Sequence, residues 1–347
     1  MVARLILTIV VLAGLGVQQA EAKIRALVIG VSDYAYIDAD LRGPANDVGL
    51  VADMLAARGA LGVDVQVLAE ADVRLPDGFG VAAEPTRQHI LDGFDTLAAQ
   101  AQVGDTVFVF FSGHGSQAPD LNGDEAGGFD EILLARDTKG WSGEKGLVEG
   151  AIVDDELALK MQAILDTGAK VVAVLDACHS ATGFRDLPQQ AIASRFVDPV
   201  SLGVPAEAED QTHVAAKPLR GDFVFLYSAQ SDERAFETPI GDAANAAHWN
   251  GDFTRHLMLV LGADVAMTWE QALDATMDSM KSIGPSRQTP DGEGALLGEP
   301  VFGSVSAGGF YQYRQGQVDA GVLHGLTVGA LVGLYGLDAP EQKLAEV

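Results

Sequence analysis

The chain has 347 residues, 48% of them hydrophobic, and its 22 Lys and Arg against 49 Asp and Glu give a formal net charge of -27. This length fits one large α/β domain or two smaller ones, and the composition excludes a wholly disordered chain. The negative charge argues against nucleic acid or an anionic membrane surface as a partner, since both are polyanions, and is compatible with metal ions or with peptides that carry Lys and Arg. Cys178 is the one cysteine, which excludes an intramolecular disulfide and a cysteine-rich zinc site.

The N-terminus has the pattern of a secretory signal. Arg4 precedes an apolar run over Leu5–Val17, and Ala20-Glu21-Ala22 follows. A positive start, a short apolar core and an A-x-A end are the three parts of such a signal, and the run is too short to span a bilayer comfortably. We therefore expect residues 1–22 to be removed and the protein to be exported, periplasmic or secreted, with no membrane span afterwards. A membrane anchor or a core helix is the alternative.

Apolar runs and amphipathic stretches alternate after the signal. The predicted strands are Lys23–Val31, Val63–Leu68, Thr106–Phe111 and Lys170–Leu175. The predicted helices are Asn46–Arg58, a stretch from Thr86 to near Gly104, and Asp154–Thr167. We expect loops over Glu70–Glu84 and Ser112–Gly128. This alternation predicts an α/β fold with a doubly wound, mainly parallel sheet and helices on both of its faces.

The alternation stops at Gly183–Gly221, which is rich in Ala, Pro and charge and is predicted to be a long exposed linker or processing loop. It then resumes with a strand at Phe223–Ser228, helices at Phe253–Gly262 and Trp269–Ile283, and a loop at Ser286–Gly298. We therefore divide a domain over 23–304 into a large segment (23–182), a linker (183–221) and a small segment (222–304).

Residues 305–347 differ in character from the rest. Ala320–Leu337 is apolar but carries regularly spaced glycines and His324, which favours β-hairpin structure over a transmembrane helix. We expect a short Gly-rich, β-type C-terminal extension, which ends so soon that it is interpreted as truncated.

Chemically reactive residues follow two of the predicted strands. One strand runs into Ser112-Gly113-His114-Gly115-Ser116, and another runs into Asp176-Ala177-Cys178-His179-Ser180. In an open parallel sheet such residues collect beyond the carboxyl ends of the strands, so neighbouring strands would bring His114 and Cys178 to one edge. An imidazole can activate a thiol and then protonate a leaving amine, while the glycines around His114 let a carbonyl approach a backbone N–H. The pattern indicates acyl transfer, with peptide hydrolysis as its commonest form; alone, each residue would be interpreted as a buried thiol or a loop histidine.

The segments Phe110–Gln117 and Val174–Ser180 resemble the metacaspases and their prokaryotic relatives in the caspase-fold peptidase family. Further similarity lies in Leu41–Asp47, in the acidic stretches around Asp124, Asp130 and Asp154, and in Arg287–Pro290 and Pro300–Gly303. The resemblance covers about Lys23–Gly303 and implies a caspase-like fold.

The resemblance implies a role for individual residues. His114 and Cys178 would form the catalytic dyad, and the backbone amides of Gly115 and Cys178 the oxyanion hole. Asp47, Ser112 and Asp176 would line the pocket for the residue before the scissile bond. Carboxylates in a pocket select Lys or Arg, so polypeptides with basic residues are the expected substrates. Arg42 could oppose that selection, unless it is an exposed arginine at the start of the helix.

The resemblance also implies calcium and self-cleavage. Asp130, Asp154, Asp155 and Asp186 are the closest matches to calcium-ligand positions, and calcium prefers several oxygen ligands. Asp154 and Asp155 have an alternative role at the positive end of a helix. Self-cleavage within the linker would occur at Lys217, Arg220 or Arg195, unless the linker is an inert surface loop.

The sequence thus predicts an exported cysteine endopeptidase that cleaves after Arg or Lys. The first alternative is a legumain- or gingipain-like peptidase of other specificity. The second is a non-catalytic binding module on a caspase-like scaffold. The third is a cysteine-dependent hydrolase of small amides.

Overall fold

The structure is a computed structural model that describes residues 22–70, 73–120, 122–123, 128–178, 192–206, 218–262, 267–282 and 288–303, together with the backbone of four short strands between 313 and 346. Nearly all of the predicted signal segment lies outside the described residues. Among the described helices, none has the length and apolar character that crossing a bilayer requires.

The described residues form five α-helices and nineteen strands, many of them short. The helices are α1 (Pro44–Ala57), α2 (Arg87–Gln100), α3 (Asp154–Leu165), α4 (Asp252–Gly262) and α5 (Trp269–Ser282). The strands up to the predicted linker are β1 (Ile24–Gly30), β2 (Val65–Leu68), β3 (Val81–Ala83), β4 (Thr106–Ser112), β5 (Gly115–Pro119), β6 (Phe129–Leu134), β7 (Trp141–Ser142), β8 (Leu147–Val148), β9 (Ala151–Val153) and β10 (Lys170–Asp176). The later strands are β11 (Ala193–Ser194), β12 (Phe223–Tyr227), β13 (Phe236–Pro239), β14 (Trp249–Gly251), β15 (Asp291–Glu293), β16 (Tyr313–Arg314), β17 (Gln317–Val318), β18 (Gly333–Gly336) and β19 (Ala339–Glu346).

A seven-stranded sheet forms the centre of the fold, in the order β15-β12-β10-β4-β1-β2-β3. Its strands pair in parallel, except that β15 runs antiparallel to β12. Strands β1, β4 and β10 are buried along most of their length, as their continuous Val-, Ile- and Phe-rich runs predict for central parallel strands.

Helices cover both faces of this sheet. One hydrophobic core joins α2 and α3 to alternate residues of β1 and β4, such as Leu27 and Val109. A second core joins α1, α4 and α5 to the intervening residues, such as Val28 and Phe110. The predicted fold class, a mainly parallel α/β sheet with helices on both faces, is confirmed.

The C-terminal residues have β structure where they are described. Strands β16 and β17 form one antiparallel pair, and β18 and β19 form another. This agrees with the β-type extension that the glycine spacing predicts.

Several sequence predictions need correction. Three stretches that are expected to be loops contain strands: Glu70–Glu84 contains β3, Ser112–Gly128 contains β5, and Ser286–Gly298 contains β15. Strand β5 has the sequence GSQAP, which lacks both alternation and β-branched residues. It is formed because it pairs with β6, and this pairing depends on tertiary structure that no local pattern reveals.

The predicted linker also needs correction, because part of it is buried rather than exposed. Arg195 is 0% exposed, and Phe196, Leu202 and Val204 are also buried. Leu202 and Val204 pack into the core that contains α2 and α3. This segment is therefore docked against the domain on both sides of Arg195.

Candidate active site

Strands β4 and β10 are neighbours, and their register pairs Ser112 with Asp176 at their carboxyl ends. His114 and Cys178 each follow their strand by two residues, so both lie at the same edge of the sheet. Gly115 allows the two loops to approach closely, because a Cβ at this position would overlap the carbonyl oxygen of Cys178. The edge thus brings the His114–Gly115 loop against the backbone of Cys178.

His114 is held by its backbone and by its ring. Its N–H donates to the Tyr34 hydroxyl at 2.8 Å, and the two rings pack at 5.3 Å between centroids. Ring atom Nε2 lies 2.8 Å from the carbonyl oxygen of Ala39, while Nδ1 has no hydrogen-bond partner among the described residues. Burial lowers the pKa of His114 to about 4, so the imidazole is neutral near pH 7. An Nε2–H tautomer would satisfy the Ala39 carbonyl and leave Nδ1 able to accept a proton.

The thiol of Cys178 is buried, with 1% of the residue exposed. The N–H of Ala235 donates to Sγ at 2.6 Å, and Sγ lies 3.3 Å from the carbonyl oxygen of the same residue. Burial raises the pKa of this thiol to about 12. Within the described part of the chain, no hydrogen bond joins the Cys178 thiol to the His114 ring.

Asp47, Ser112 and Asp176 come together in a buried pocket beside the thiol, and none of the three is exposed. The Ser112 hydroxyl donates to Asp47 Oδ2 at 2.8 Å. Asp176 Oδ2 accepts from the Thr254 N–H at 3.1 Å and from the Thr254 hydroxyl at 2.5 Å. These bonds orient the two carboxylates into one small volume.

A guanidinium from the same chain fills this pocket. Arg195 Nη2 lies 2.6 Å from Asp47 Oδ2, and Nη1 lies 3.0 Å from Asp176 Oδ2. Nη1 also donates to the Ser112 hydroxyl at 2.9 Å. Burial alone would lower the pKa of Arg195, but the carboxylates of Asp176, Asp47 and Glu237 raise it above its usual value. The pocket therefore binds a basic side chain in its charged form.

The backbone of Arg195 lies against the reactive loops. Its carbonyl oxygen accepts from the N–H of Gly115 at 3.1 Å and from the N–H of Cys178 at 3.2 Å. These are the two amides that the resemblance assigns to an oxyanion hole. A carbonyl carbon is thus presented beside the residue that carries the thiol.

The residues before Arg195 extend a small sheet. Strand β11 pairs antiparallel with β13, with Ala193 opposite Glu237 and Ser194 opposite Phe236. The N–H of Arg195 continues the ladder by donating to the carbonyl oxygen of Ala235 at 3.0 Å. Strand addition to a sheet edge is a common way in which proteins bind extended peptides.

Comparison with known proteins relates the part of the chain that carries the site to one family. Residues 24–188 match the model of the metacaspase peptidase C14 domain. This match identifies residues 24–188, slightly less than half of the chain, as a metacaspase-type peptidase domain. The matched residues include His114, Cys178 and the three predicted pocket residues, whereas Arg195 follows them.

Curated metacaspases are similar over part of the chain. Metacaspase-1 of Cryptococcus neoformans is 37% identical over 171 residues, which are 49% of this chain and 34% of the relative. Metacaspase-1A of Aspergillus niger is 30% identical over 266 residues, which are 72% of this chain and 62% of the relative. Metacaspase-1 of Pyricularia oryzae is 34% identical over 170 residues, 49% of this chain and 39% of the relative. The chain thus spans between about a third and two thirds of the length of these relatives.

A solved structure supports the fold alone. A crystal structure of a Geobacter sulfurreducens protein matches with a TM-score of 0.56 and 20% sequence identity, and the match covers 82% of this chain and 100% of that one.

Two features of this site do not follow from the sequence. Glu237 is 1% exposed and places Oε2 3.4 Å from Arg195 Nη2. It also accepts from the backbone N–H of Arg42 at 2.9 Å and of Gly43 at 3.0 Å. The second feature is Arg195 as the occupant of the pocket, since the sequence predicts Arg195 only as a possible cleavage site. Neither residue lies in a motif, and both reach the site through contacts that are distant in sequence.

Arg42 does not enter the pocket. Its guanidinium donates to the carbonyl oxygen of Ala243 at 2.8 Å and lies 5.1 Å from the centre of the Trp249 ring. Its side chain therefore leaves the carboxylates of the pocket available to Arg195, in agreement with the alternative of an exposed arginine at the helix start.

The predicted calcium ligands are only partly described. Asp130 lies on β6, and Asp154 and Asp155 begin α3. The Asp155 carboxylate accepts a hydrogen bond from the side chain of Asn122, and Asp186 lies outside the described residues. Among the described residues, no group of three or more His, Cys, Asp or Glu side chains is arranged to hold a metal ion. Calcium therefore remains a prediction.

Proposed function

We propose that this chain is a cysteine endopeptidase of metacaspase type that cleaves after Arg or Lys and processes itself after Arg195. One observation carries the proposal. The Arg195 guanidinium occupies a carboxylate pocket while its carbonyl oxygen accepts from the amides of Gly115 and Cys178. A basic residue in such a position is what a peptidase needs before the bond that it cleaves.

The reaction follows from this arrangement. The Cys178 thiol transfers its proton to Nδ1 of His114 as Sγ attacks the carbonyl carbon of Arg195. The two amides stabilise the negative charge that develops on the oxygen. The bond to the nitrogen of Phe196 then breaks, and His114 returns the proton to that nitrogen. Water hydrolyses the thioester to restore the thiol.

The contact between thiol and imidazole is part of the proposal. The thiol now lies 3.3 Å from the Ala235 carbonyl oxygen, and a thiol is a weak donor. The thiol proton would leave this carbonyl for His114 Nδ1, which has no partner among the described residues.

The location of the other basic candidates favours Arg195 as the cleavage site. Arg220 has its backbone N–H 2.9 Å from Gln162 on α3, and its carbonyl oxygen accepts from the same side chain. Lys217 lies outside the described residues. We therefore expect a new N-terminus at Phe196.

Fragment masses and N-terminal sequencing of the incubated chain test this proposal. We expect cleavage between Arg195 and Phe196, no cleavage in Cys178→Ala, and slower cleavage in Arg195→Lys. Cleavage that continues in Cys178→Ala would favour the non-catalytic alternative, with a contaminating protease as its cause. A new N-terminus elsewhere would contradict Arg195 as the site.

A peptide panel separates this proposal from the other cysteine hydrolases. Peptides with Arg, Lys, Asn or Asp before the scissile bond should be cleaved only after Arg and Lys. Cleavage after Asn would favour a legumain-like specificity, and hydrolysis of small amides without peptide preference would favour the small-amide hydrolase.

Calcium dependence and export complete the proposal. The described residues do not assemble a calcium site, so no step is assigned to the ion, and the fragment assay with and without calcium tests its effect.

We propose export on the pattern of residues 1–22, and the N-terminal sequence of the protein isolated from a producing cell tests it.

A further inference from the structure

The residues that follow Arg195 are held as firmly as those that precede it. Phe196 is 8% exposed and packs against Cys178 and Ala235. The guanidinium of Arg234 lies 5.2 Å from the centre of its ring. The ring is therefore enclosed by the thiol-bearing loop on one side and by a cation on another.

The backbone after Phe196 adds to β5. Phe196 bridges Gly115 in parallel. The N–H of Val197 donates to the carbonyl oxygen of Gly115 at 3.0 Å, and the Ser116 hydroxyl donates to the carbonyl oxygen of Val197 at 2.7 Å. Gly115 thus donates its N–H to the carbonyl oxygen of Arg195 and accepts, at its own carbonyl oxygen, from the N–H of Val197.

We propose that β5 and Arg234 form a binding site for the substrate residues after the scissile bond, with a preference for an aromatic side chain directly after the basic residue. The proposal rests on the proposed function and adds a second determinant of its substrates. Phe196 supplies apolar contact and a ring face for the Arg234 guanidinium, an attraction that an aromatic ring provides and a glycine does not.

A competing interpretation is that Phe196 only anchors the linker. Leu202 and Val204 are buried further along and could hold the segment without help from Phe196. Short peptides that end before these two residues remove the anchor, so they separate substrate recognition from linker docking.

The test uses the full chain after incubation and peptides with the sequence of residues 192–198. Three peptides carry Phe, Tyr or Gly at the position of Phe196. We expect kcat/KM for cleavage after Arg to be about ten-fold or more higher with Phe or Tyr than with Gly. Equal values for all three overturn this inference and leave the proposed function intact. If no peptide is cleaved after Arg, this inference is overturned. If the chain also fails to cleave itself, the proposed function is overturned too.

Two further measurements locate the preference. Arg234→Ala should lower the ratio of kcat/KM for the Phe peptide to kcat/KM for the Gly peptide. Arg74→Ala is the control, since Arg74 is exposed and paired with Asp53, and it should leave this ratio unchanged. N-methylation of the peptide at the position of Val197 removes the donor to Gly115 and should reduce kcat/KM, whereas N-methylation at the position of Asp198 should do so much less. The comparison of the three peptides requires no altered protein, so it still decides the inference if Arg234→Ala does not fold. Equal effects of the two N-methyl groups on kcat/KM would contradict pairing of the peptide with β5.

Discussion

One guanidinium faces three buried carboxylates in this site. The carboxylates of Asp47, Asp176 and Glu237 lie within 3.4 Å of Arg195 nitrogens. Burial raises the pKa of Asp176 and of Glu237, the Arg195 charge lowers both, and the neighbouring Asp47 charge raises both. The buried carboxylates therefore need a cation beside them to stay ionised, which favours a cation as the occupant of the pocket over any neutral residue.

Glu237→Gln should weaken the binding of arginine. The substitution keeps the shape of the side chain but removes one charge near Arg195 Nη2, and its amide cannot accept from both Arg42 and Gly43. We expect kcat/KM for an Arg peptide to fall about ten-fold, since a hydrogen bond to a charged group contributes about 1.5–3 kcal/mol. Glu149→Gln, which removes a carboxylate paired with Lys145 at the surface, is the matched control. An unchanged kcat/KM in Glu237→Gln would exclude a role of this residue in specificity.

The buried thiol gives a readout that does not depend on catalysis. Because burial raises the pKa of Cys178 to about 12, alkylation of the uncleaved chain should stay slow and keep accelerating with pH beyond the ordinary thiol pKa of about 8.5. The single cysteine lets whole-protein mass spectrometry report this reaction alone. His114→Ala, which the mechanism predicts to be unable to cleave itself, provides the uncleaved chain.

Combining His114→Ala with Arg195→Ala should release the linker and expose the thiol. We expect faster alkylation, with a pH dependence that levels off closer to the ordinary thiol range. Identical rates and pH profiles in the two proteins would mean that the linker does not cover the thiol.

At the scale of elements, close approach of backbones builds the pocket. Gly43 precedes α1 and Gly251 ends β14, and a Cβ on either would meet Arg195. At Gly43 it would lie 2.9 Å from Nη2, and at Gly251 it would overlap Asp176 Oδ2 and lie 2.6 Å from Nη1. Two glycines thus provide the space that the guanidinium occupies.

Gly251→Ala should therefore exclude a basic side chain. Because the new methyl group would lie 2.6 Å from Arg195 Nη1 and would overlap Asp176 Oδ2, self-cleavage after Arg195 should fall by about 100-fold or more. Gly262→Ala is the matched control, since a Cβ at the end of α4 meets nothing within 4 Å. The half-time of fragment formation measures the effect, and circular dichroism checks that both variants fold. Normal self-cleavage in a folded Gly251→Ala would contradict the proposed pocket.

The sequence predicts the elements that local patterns determine. Strands β4 and β10 are continuous apolar runs, so their positions, and with them His114 and Cys178 at one edge, follow from hydrophobicity and topology. Strand β5 and Glu237 were missed for a common reason, because each is specified by its partners. Glu237 reaches Gly43 across 194 residues of sequence, and neither periodicity nor a turn signal marks such a contact.

The linker illustrates the same limit. A segment without periodicity, rich in Ala, Pro and charge, predicts exposure, and Arg195 was considered only as a cleavage site. The burial of Arg195 depends on carboxylates from Asp47, Asp176 and Glu237, which become neighbours only when the fold is complete. Composition therefore describes how such a segment behaves alone, and charge complementarity decides where it docks.

At the scale of the whole molecule, Arg195 connects three parts of the chain. Asp47 belongs to α1, Asp176 to β10 and Glu237 to β13, so one linker side chain joins the large and small segments. The two hydrophobic cores do not include Arg195, and the central sheet forms without it. The residues around Arg195 should therefore be able to leave the pocket while the rest of the fold, including Leu202 and Val204 in the core, remains intact.

Hydrogen exchange can test this separation in Cys178→Ala, which keeps the linker uncleaved under the proposed mechanism. The amides of Arg195 and Val197 should be protected, because they donate to Ala235 and Gly115. Adding Arg195→Ala should raise their exchange by about 100-fold or more, since removing one partner of a buried ion pair costs about 3–5 kcal/mol. Arg220→Ala is the control. Because the opening is local, adding Arg195→Ala should change Tm little. A steep fall in Tm together with unchanged exchange at the Val197 amide would mean that the linker is an integral part of the cooperative fold.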